Sequence, residues 1–335
     1  MNSRSKMVVV LMVCTVCLAT IWRITSTNLT FEAWGESEGD TGNINEEVEM
    51  SRNNPNKTCS CDRCMTEYNY FFMQRYKKSV NLFLTPDGDL TQNVFLWWKS
   101  LQAENSDLKK YNEAKARLFK VFPSKPNVSE LHPDRCQTCA VVGNSGNLKG
   151  SNYGRQIDSH DFVIRMNFAK TEGYEVDVGI KTTHHTMYPE SGMDLDNNTH
   201  LVLFPFKIMD LQWITEALTT GFHGRSYAPT KMKIKANKNL VLVVNPEFMQ
   251  YVHTSWLSLT GKYPSTGFMT LVLAMHICDQ VSVFGFGADK NGNWNHYWEP
   301  LKDKHLKTGL HPGSYEYNLI EELAKQNKVT FYRGW

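Results

Sequence analysis

Short apolar runs bounded by Gly, Asn, Asp and Pro recur along the C-terminal two thirds of the chain. They predict strands over 140–143, 161–166, 182–187, 200–206, 240–244, 280–286 and 329–333. Longer stretches with helical spacing lie between several of them, over 209–220, 246–257, 266–277 and 314–326. Alternation of this kind implies an α/β sheet with helices on both faces. Upstream, residues 66–122 read as helices with aromatic faces: Tyr68, Phe71, Phe72 and Tyr76, then Phe95, Leu96, Trp97 and Trp98, then Leu118, Phe119 and Phe122. Pro123 and Pro126 break that pattern. These aromatics read as core, and Gln102, just after the Trp pair, is a candidate for contact with a sugar. No internal repeat is visible.

The first residues behave differently. Met7 to Trp22 carries no charged side chain and follows Arg4 and Lys6. It reads as an uncleaved type II anchor, with a cleaved signal peptide as the competing reading. Basic residues on the short side place the bulk of the chain in a lumen. Residues 24–51 hold seven acidic residues, no Lys or Arg, and little apolar periodicity, which is a stem. The expected organisation is a cytoplasmic tail over 1–6, the anchor over 7–22, a stem over 23–58 and one lumenal domain over 59–335. Sequons at Asn28, Asn56, Asn127 and Asn197 agree with that topology. A formal net charge of +2 argues against a nucleic-acid partner.

Cys14 and Cys17 lie in the anchor, leaving Cys59, Cys61, Cys64, Cys136, Cys139 and Cys278. In an oxidising lumen six cysteines read as three disulfides, with about fifteen pairings open. The rival is a four-Cys zinc site from Cys61-x-x-Cys64 and Cys136-x-x-Cys139, which the compartment disfavours.

Candidate chemistry gathers at strand ends. The run Ala140-Val-Val142 stops at Gly143-Asn-Ser-Gly-Asn147, a turn able to bare N–H groups to a ligand. A second strand ends at Asn167. Two polar strand tips suggest a nucleotide or anion site at the carboxyl edge of an open sheet. Tyr263-Pro-Ser-Thr-Gly267 precedes an apolar helix, which Ser265 or Thr266 would cap, leaving N–H groups for a phosphate. Gly285 and Gly287 would allow close approach of a nucleotide. The aromatic loop Gly292 to Glu299 contains His296, able to donate to an anion, and His311 stands just before the last helix. Asp87-Gly-Asp89 and Asp194-Leu-Asp196 match the D-x-D of metal-dependent glycosyltransferases, but neither follows a clear apolar strand; both read as loops. Gly143-x-x-Gly146-x-x-x-Gly150 lacks the dinucleotide spacing, so a nicotinamide enzyme is disfavoured. His184-His185 on a strand would point to opposite faces.

Together these stretches resemble the animal sialyltransferases. Cys136 to His185 looks like the family's long motif, Pro264 to Asn293 covers its short motif, His296-Tyr-Trp-Glu299 resembles the third, and His311 to Glu316 the very short one. CAVVGNSGNL, KTTHH, YPES and YPSTG are most similar to the β-galactoside α-2,3-sialyltransferases acting on Galβ1-3GalNAc. The resemblance covers roughly residues 59–335. It implies a Rossmann-like, GT-A-like variant of the α/β fold, with a mostly parallel twisted sheet flanked by helices.

The resemblance also implies inverting transfer of sialic acid from CMP-N-acetylneuraminic acid to the 3-hydroxyl of galactose, without cofactor or metal. Asn144 and Asn167 would contact the donor nucleotide, and Tyr227, Tyr263, Gly267 and Gly287 would belong to the substrate site. His296 would hold the donor phosphate, His311 would act as general base, and Gln102 would contact the acceptor. The family pattern pairs Cys139 with Cys278, Cys61 with Cys136 and Cys59 with Cys64. Partners would be galactosyl glycoproteins or glycolipids and the Golgi membrane; a homodimer is left open. Relatives commonly have His where this chain has Asn295, and the segment between Glu299 and Thr308 is shorter and Lys-rich. The alternatives are a membrane-anchored lectin and a metal-dependent glycosyltransferase using a nucleotide diphosphate sugar.

Overall fold

The computed structural model describes residues 59–102, 105–125, 131, 134–289, 291–299 and 308–334. The tail, anchor and stem, the sequons at Asn28, Asn56 and Asn127, and the Lys-rich segment 300–307 lie outside these residues. Among the described residues no helix is long and apolar enough to cross a membrane.

Seven strands form one sheet: β1 Thr138–Val142, β2 Phe162–Met166, β3 His184–Met187, β4 His200–Leu203, β5 Val241–Val243, β6 Gln280–Phe284 and β7 Thr330–Tyr332. Their order is β5-β4-β3-β2-β1-β6-β7, and every pair is parallel. The chain winds outward from β1 to β5, then returns to lay β6 on the other side of β1. The carboxyl ends of β1 and β6 therefore border the point where winding direction reverses, which is where open α/β sheets leave a crevice. Parallel strands covered on both faces must be apolar on both, and β1 is buried from Cys139 to Val142.

The helix Thr266–Ile277 fills the long return from β5 to β6. All of its residues except Gly267 are buried, so it is a core helix rather than an amphipathic one. The last helix, Gly313–Lys325, buries Gly313, Glu316, Leu319, Ile320 and Leu323, a stripe at steps of three and four. Upstream, Thr91 caps Gln92–Ser100 and Asp107 caps Leu108–Leu118. Trp98, Phe95 and Tyr111 pack between them, and Trp98 Nε1 donates to the Pro205 carbonyl at 2.7 Å.

Three disulfides join Cys59 to Cys64, Cys61 to Cys136 and Cys139 to Cys278. The zinc alternative fails because all four of its thiolates are consumed in these bonds. Observed elements are shorter than expected at several ends. The helix expected over 246–257 ends at Tyr251 and continues as a π turn, Val252–Trp256. Two short crossover helices, Gly154–Asp158 and Glu175–Val178, carry too few apolar residues to register as periodic in the sequence.

Candidate active site

The reversal point holds a cleft of about 350 Å³. Its lining combines the tip of β1 (Gly143, Asn144, Ser145), Asn167 after β2, Gly267 on the core helix, Gly285 and Gly287 after β6, His296 from the aromatic loop, and His311 with Glu316. Among the described residues the lining carries no Lys or Arg.

Glycine is required where strand tips touch. A Cβ on Gly143 would overlap the carbonyl of Gly285, and Gly287, at φ +91°, would drive one into the Tyr317 ring. Of the N–H groups in the turn after β1, those of Gly143, Ser145, Gly146 and Asn147 are not open to a ligand as expected. Gly143 N donates to Phe284 O (2.8 Å), Ser145 N to Gly285 O (3.0 Å) and Gly146 N to Asn295 O (2.7 Å). Asn147 N goes to Ser145 Oγ at 3.2 Å. These bonds stitch β1 to β6 and to the aromatic loop, because a buried N–H left unpaired is costly. Asn295 takes part through its main chain, so the departure from His does not disturb this stitch.

Side chains are what the tip offers instead. Asn144 donates through Nδ2 to Met166 O at 3.1 Å, while its Oδ1 is buried without a protein partner. An orphaned buried acceptor of this kind suits an amine or hydroxyl donor of a ligand. Asn167 sits at φ +55°, a conformation Asn tolerates better than most residues. Its carbonyl accepts from His185 Nε2 (2.6 Å) and its Oδ1 from Ser191 Oγ (3.0 Å), leaving the amide N–H₂ for the cleft. Burial holds His185 down to about 4, so it is a neutral donor with the proton on Nε2. His184, on the opposite face, stacks on His200 at 4.5 Å.

Ser265 caps the core helix by accepting from Phe268 N at 3.1 Å. The phosphate expected at this end meets a carboxyl already in place: Glu316 accepts from Ser265 N (2.7 Å) and Ser265 Oγ (2.6 Å). Burial raises the Glu316 pKa, and the two Ser265 bonds oppose that rise. Gly267 remains on the cleft wall, where a Cβ would stand 3.1 Å from the Phe286 ring.

The His311 ring is placed by Tyr263. Its Nδ1 lies 3.2 Å from the Tyr263 carbonyl, and the two rings meet edge to face at 4.8 Å. A carbonyl only accepts, so the proton is on Nδ1 and the lone pair on Nε2. Burial lowers the His311 pKa and so favours the neutral form, while the Tyr263 bond opposes that shift. His296 stacks on Trp298 at 4.8 Å and bridges Ser145 in antiparallel fashion. Its Nδ1 has Glu299 at 3.9 Å, an ion-pair distance rather than a hydrogen bond. Burial lowers the His296 pKa and Glu299 works against that.

Gln102 and Tyr227 do not line the cleft, and Tyr263 borders it through His311. Tyr227 is 70 % exposed and lies over Lys207, whose ammonium is 5.3 Å from its ring. Lys207 pairs with Glu190 (3.2 Å) and Asp210 (2.7 Å), and Ser226 donates to Glu190. Burial lifts Asp210 to about 6, against the pull of Lys207. This cluster escaped the sequence, since its members come from three segments, Glu190, Lys207 with Asp210, and Ser226 with Tyr227, that share no local pattern. Of the D-x-D pairs, Asp196 spends Oδ1 on Asn198 N (2.9 Å) and Thr199 N (2.8 Å), an Asx turn before β4 at the sheet's other edge. The sequon Asn197 is exposed.

Residues 83–328 match the family described as Glycosyltransferase family 29 (sialyltransferase). The chain is 45% identical over 286 residues to CMP-N-acetylneuraminate-beta-galactosamide-alpha-2,3-sialyltransferase 1 of Gallus gallus, covering 84% of this chain and 83% of that one. It is 44% identical over 283 residues to the corresponding sialyltransferase 2 of Rattus norvegicus, covering 83% and 81%. A crystal structure of a mammalian sialyltransferase in complex with Gal-beta-1-3GalNAc-ortho-nitrophenol superposes with a TM-score of 0.76 at 43% identity, over 83% of this chain and all of the other.

Proposed function

This chain belongs to glycosyltransferase family 29, the sialyltransferases, and on that premise we propose how its cleft works and on what. The donor is CMP-N-acetylneuraminic acid and the acceptor the 3-hydroxyl of galactose in Galβ1-3GalNAc, on glycoproteins or glycolipids. The reading rests above all on one observation: His311 has its proton pinned on Nδ1 by Tyr263, in a cleft that also holds His296.

The acceptor hydroxyl gives its proton to His311 Nε2 as its oxygen attacks the anomeric carbon. The bond from that carbon to the CMP phosphate breaks on the opposite side, and its electron pair leaves with the phosphate, so configuration inverts. His296 donates to the departing phosphate, whose arrival favours the protonated imidazole over the neutral one. Asn144 and Asn167 hold the nucleotide, and the glycines at 267 and 287 leave it room. Tyr227 and Tyr263 belong to the substrate site, and Gln102 contacts the acceptor.

CMP leaves with less negative charge than a nucleotide diphosphate, so these protein donors serve without a metal. A lectin has no use for a base with a pinned tautomer. The domain acts in the Golgi lumen behind the anchor over 7–22 and stem over 23–58, with glycans on its sequons. The test is CMP release from CMP-sialic acid by the purified chain, with chelator present, in the presence and absence of Galβ1-3GalNAc. Acceptor-dependent release with an α-2,3-linked product is expected; strict metal dependence, or acceptor binding without release, overturns the reading.

A further inference from the structure

The helix after β5 continues as the π turn Val252–Trp256, closed by Leu257 N donating to Val252 O at 3.2 Å. Such turns insert one residue into a helix and recur where a side chain must be re-aimed. Ser258 (φ +49°) and Leu259 (φ +62°) follow, two left-handed residues in a row without a glycine. That conformation costs about 1–2 kcal/mol per residue, so the surrounding structure must hold it.

The side chain thus aimed is the buried His253. Its Nδ1 accepts from Trp97 Nε1 at 3.3 Å, and its Nε2 donates to Gly261 O at 3.2 Å. The indole can only donate and the carbonyl only accept, so both ring nitrogens are committed and the tautomer is set. Trp97 belongs to the helix Gln92–Ser100, which leads to Gln102. Gly261 stands against Pro312, where a Cβ would come within 2.6 Å of the proline Cδ. The next residues continue the seam: Lys262 N donates to Leu310 O at 3.0 Å, and Tyr263 O receives His311 Nδ1.

We propose that His253 is a positioning residue that sets the spacing between the acceptor side, at Gln102, and the base, His311. It touches no substrate and acts through Trp97 and Gly261. The proposal rests on the roles assigned above to Gln102 and His311.

The test compares His253→Ala, His253→Gln and Trp97→Phe in the full chain, measuring acceptor KM and kcat beside CMP affinity. A misplacement near 1 Å at reacting groups is worth on the order of 10²-fold, so His253→Ala should lose about 10- to 100-fold in kcat/KM for acceptor. CMP affinity should hold within about twofold, a split that general destabilisation would not produce. Glutamine offers a carbonyl acceptor and an amide donor and should restore most of the loss; Trp97→Phe, which lacks the N–H donor and the second ring of the indole, should show part of it. Acceptor kcat/KM within about twofold of the parent, or acceptor and CMP constants falling together, overturns the proposal. If His253→Ala does not fold, Trp97→Phe decides by the same criterion. Transfer by the parent chain is read in the same assay, so a failed proposal leaves the functional reading standing, and a parent that transfers nothing sinks that reading instead.

Discussion

Replacing His311 with alanine separates chemistry from folding. The substitution removes one hydrogen bond, Nδ1 to the Tyr263 carbonyl, and one edge-to-face ring contact at 4.8 Å. Each is worth about 0.5–1.5 kcal/mol, so stability should fall by roughly 1–3 kcal/mol, which a domain of ordinary stability survives. The lost general base should lower kcat by about 10²- to 10⁴-fold, or some 3–5 kcal/mol of transition-state stabilisation. CMP affinity should stay nearly unchanged, because the nucleotide is assigned to Asn144 and Asn167. Initial rates of CMP release, with CMP titrated calorimetrically, measure both quantities on one preparation. In the parent enzyme kcat/KM should fall as pH drops into the range where His311 protonates. Burial lowers its folded pKa, so that limb should lie below the reference value near 6.5. The same shift makes the unfolded chain bind the proton first, so stability too declines as pH falls through about 6.5. A variant keeping kcat within about tenfold, or losing CMP affinity in parallel with rate, refutes the base assignment.

Three further outcomes are expected. Asn144→Asp would set a carboxylate oxygen against the Met166 carbonyl in place of the Nδ2 donor, weakening CMP binding by about 1–3 kcal/mol; unaltered calorimetric affinity would remove Asn144 from the donor site. Gly287→Ala combines φ +91° with a Cβ in the Tyr317 ring and should destabilise by about 1–3 kcal/mol; a melting temperature within about 1 °C of the parent would contradict that crowding. Cys278→Ser unties the end of the core helix from β1 across a separation of 139 residues, and a loss of about 2–5 kcal/mol should leave little folded lumenal domain secreted when residues 59–335 are expressed behind a cleavable signal. Normal secretion of active enzyme would show the bridge to be dispensable.

The sequence by itself determined which stretches become strands and core helix, because apolar periodicity reports a segment's own burial. It also named the residues around the cleft, since Gly-rich tips after Val142 and Phe284 and a His ahead of the last helix are local patterns. Only the tertiary structure decided what those residues do to one another. Three N–H groups after β1 read from sequence as open to a ligand, those of Gly143, Ser145 and Gly146, are spent on the end of β6 and the aromatic loop. The capped helix end at Ser265 already carries the Glu316 carboxyl from 51 residues away. His253, silent in sequence, joins Trp97 to Gly261. Hydrogen-bond partners such as these are chosen by which strand ends the winding of the sheet makes adjacent, and a one-dimensional pattern carries no record of that adjacency.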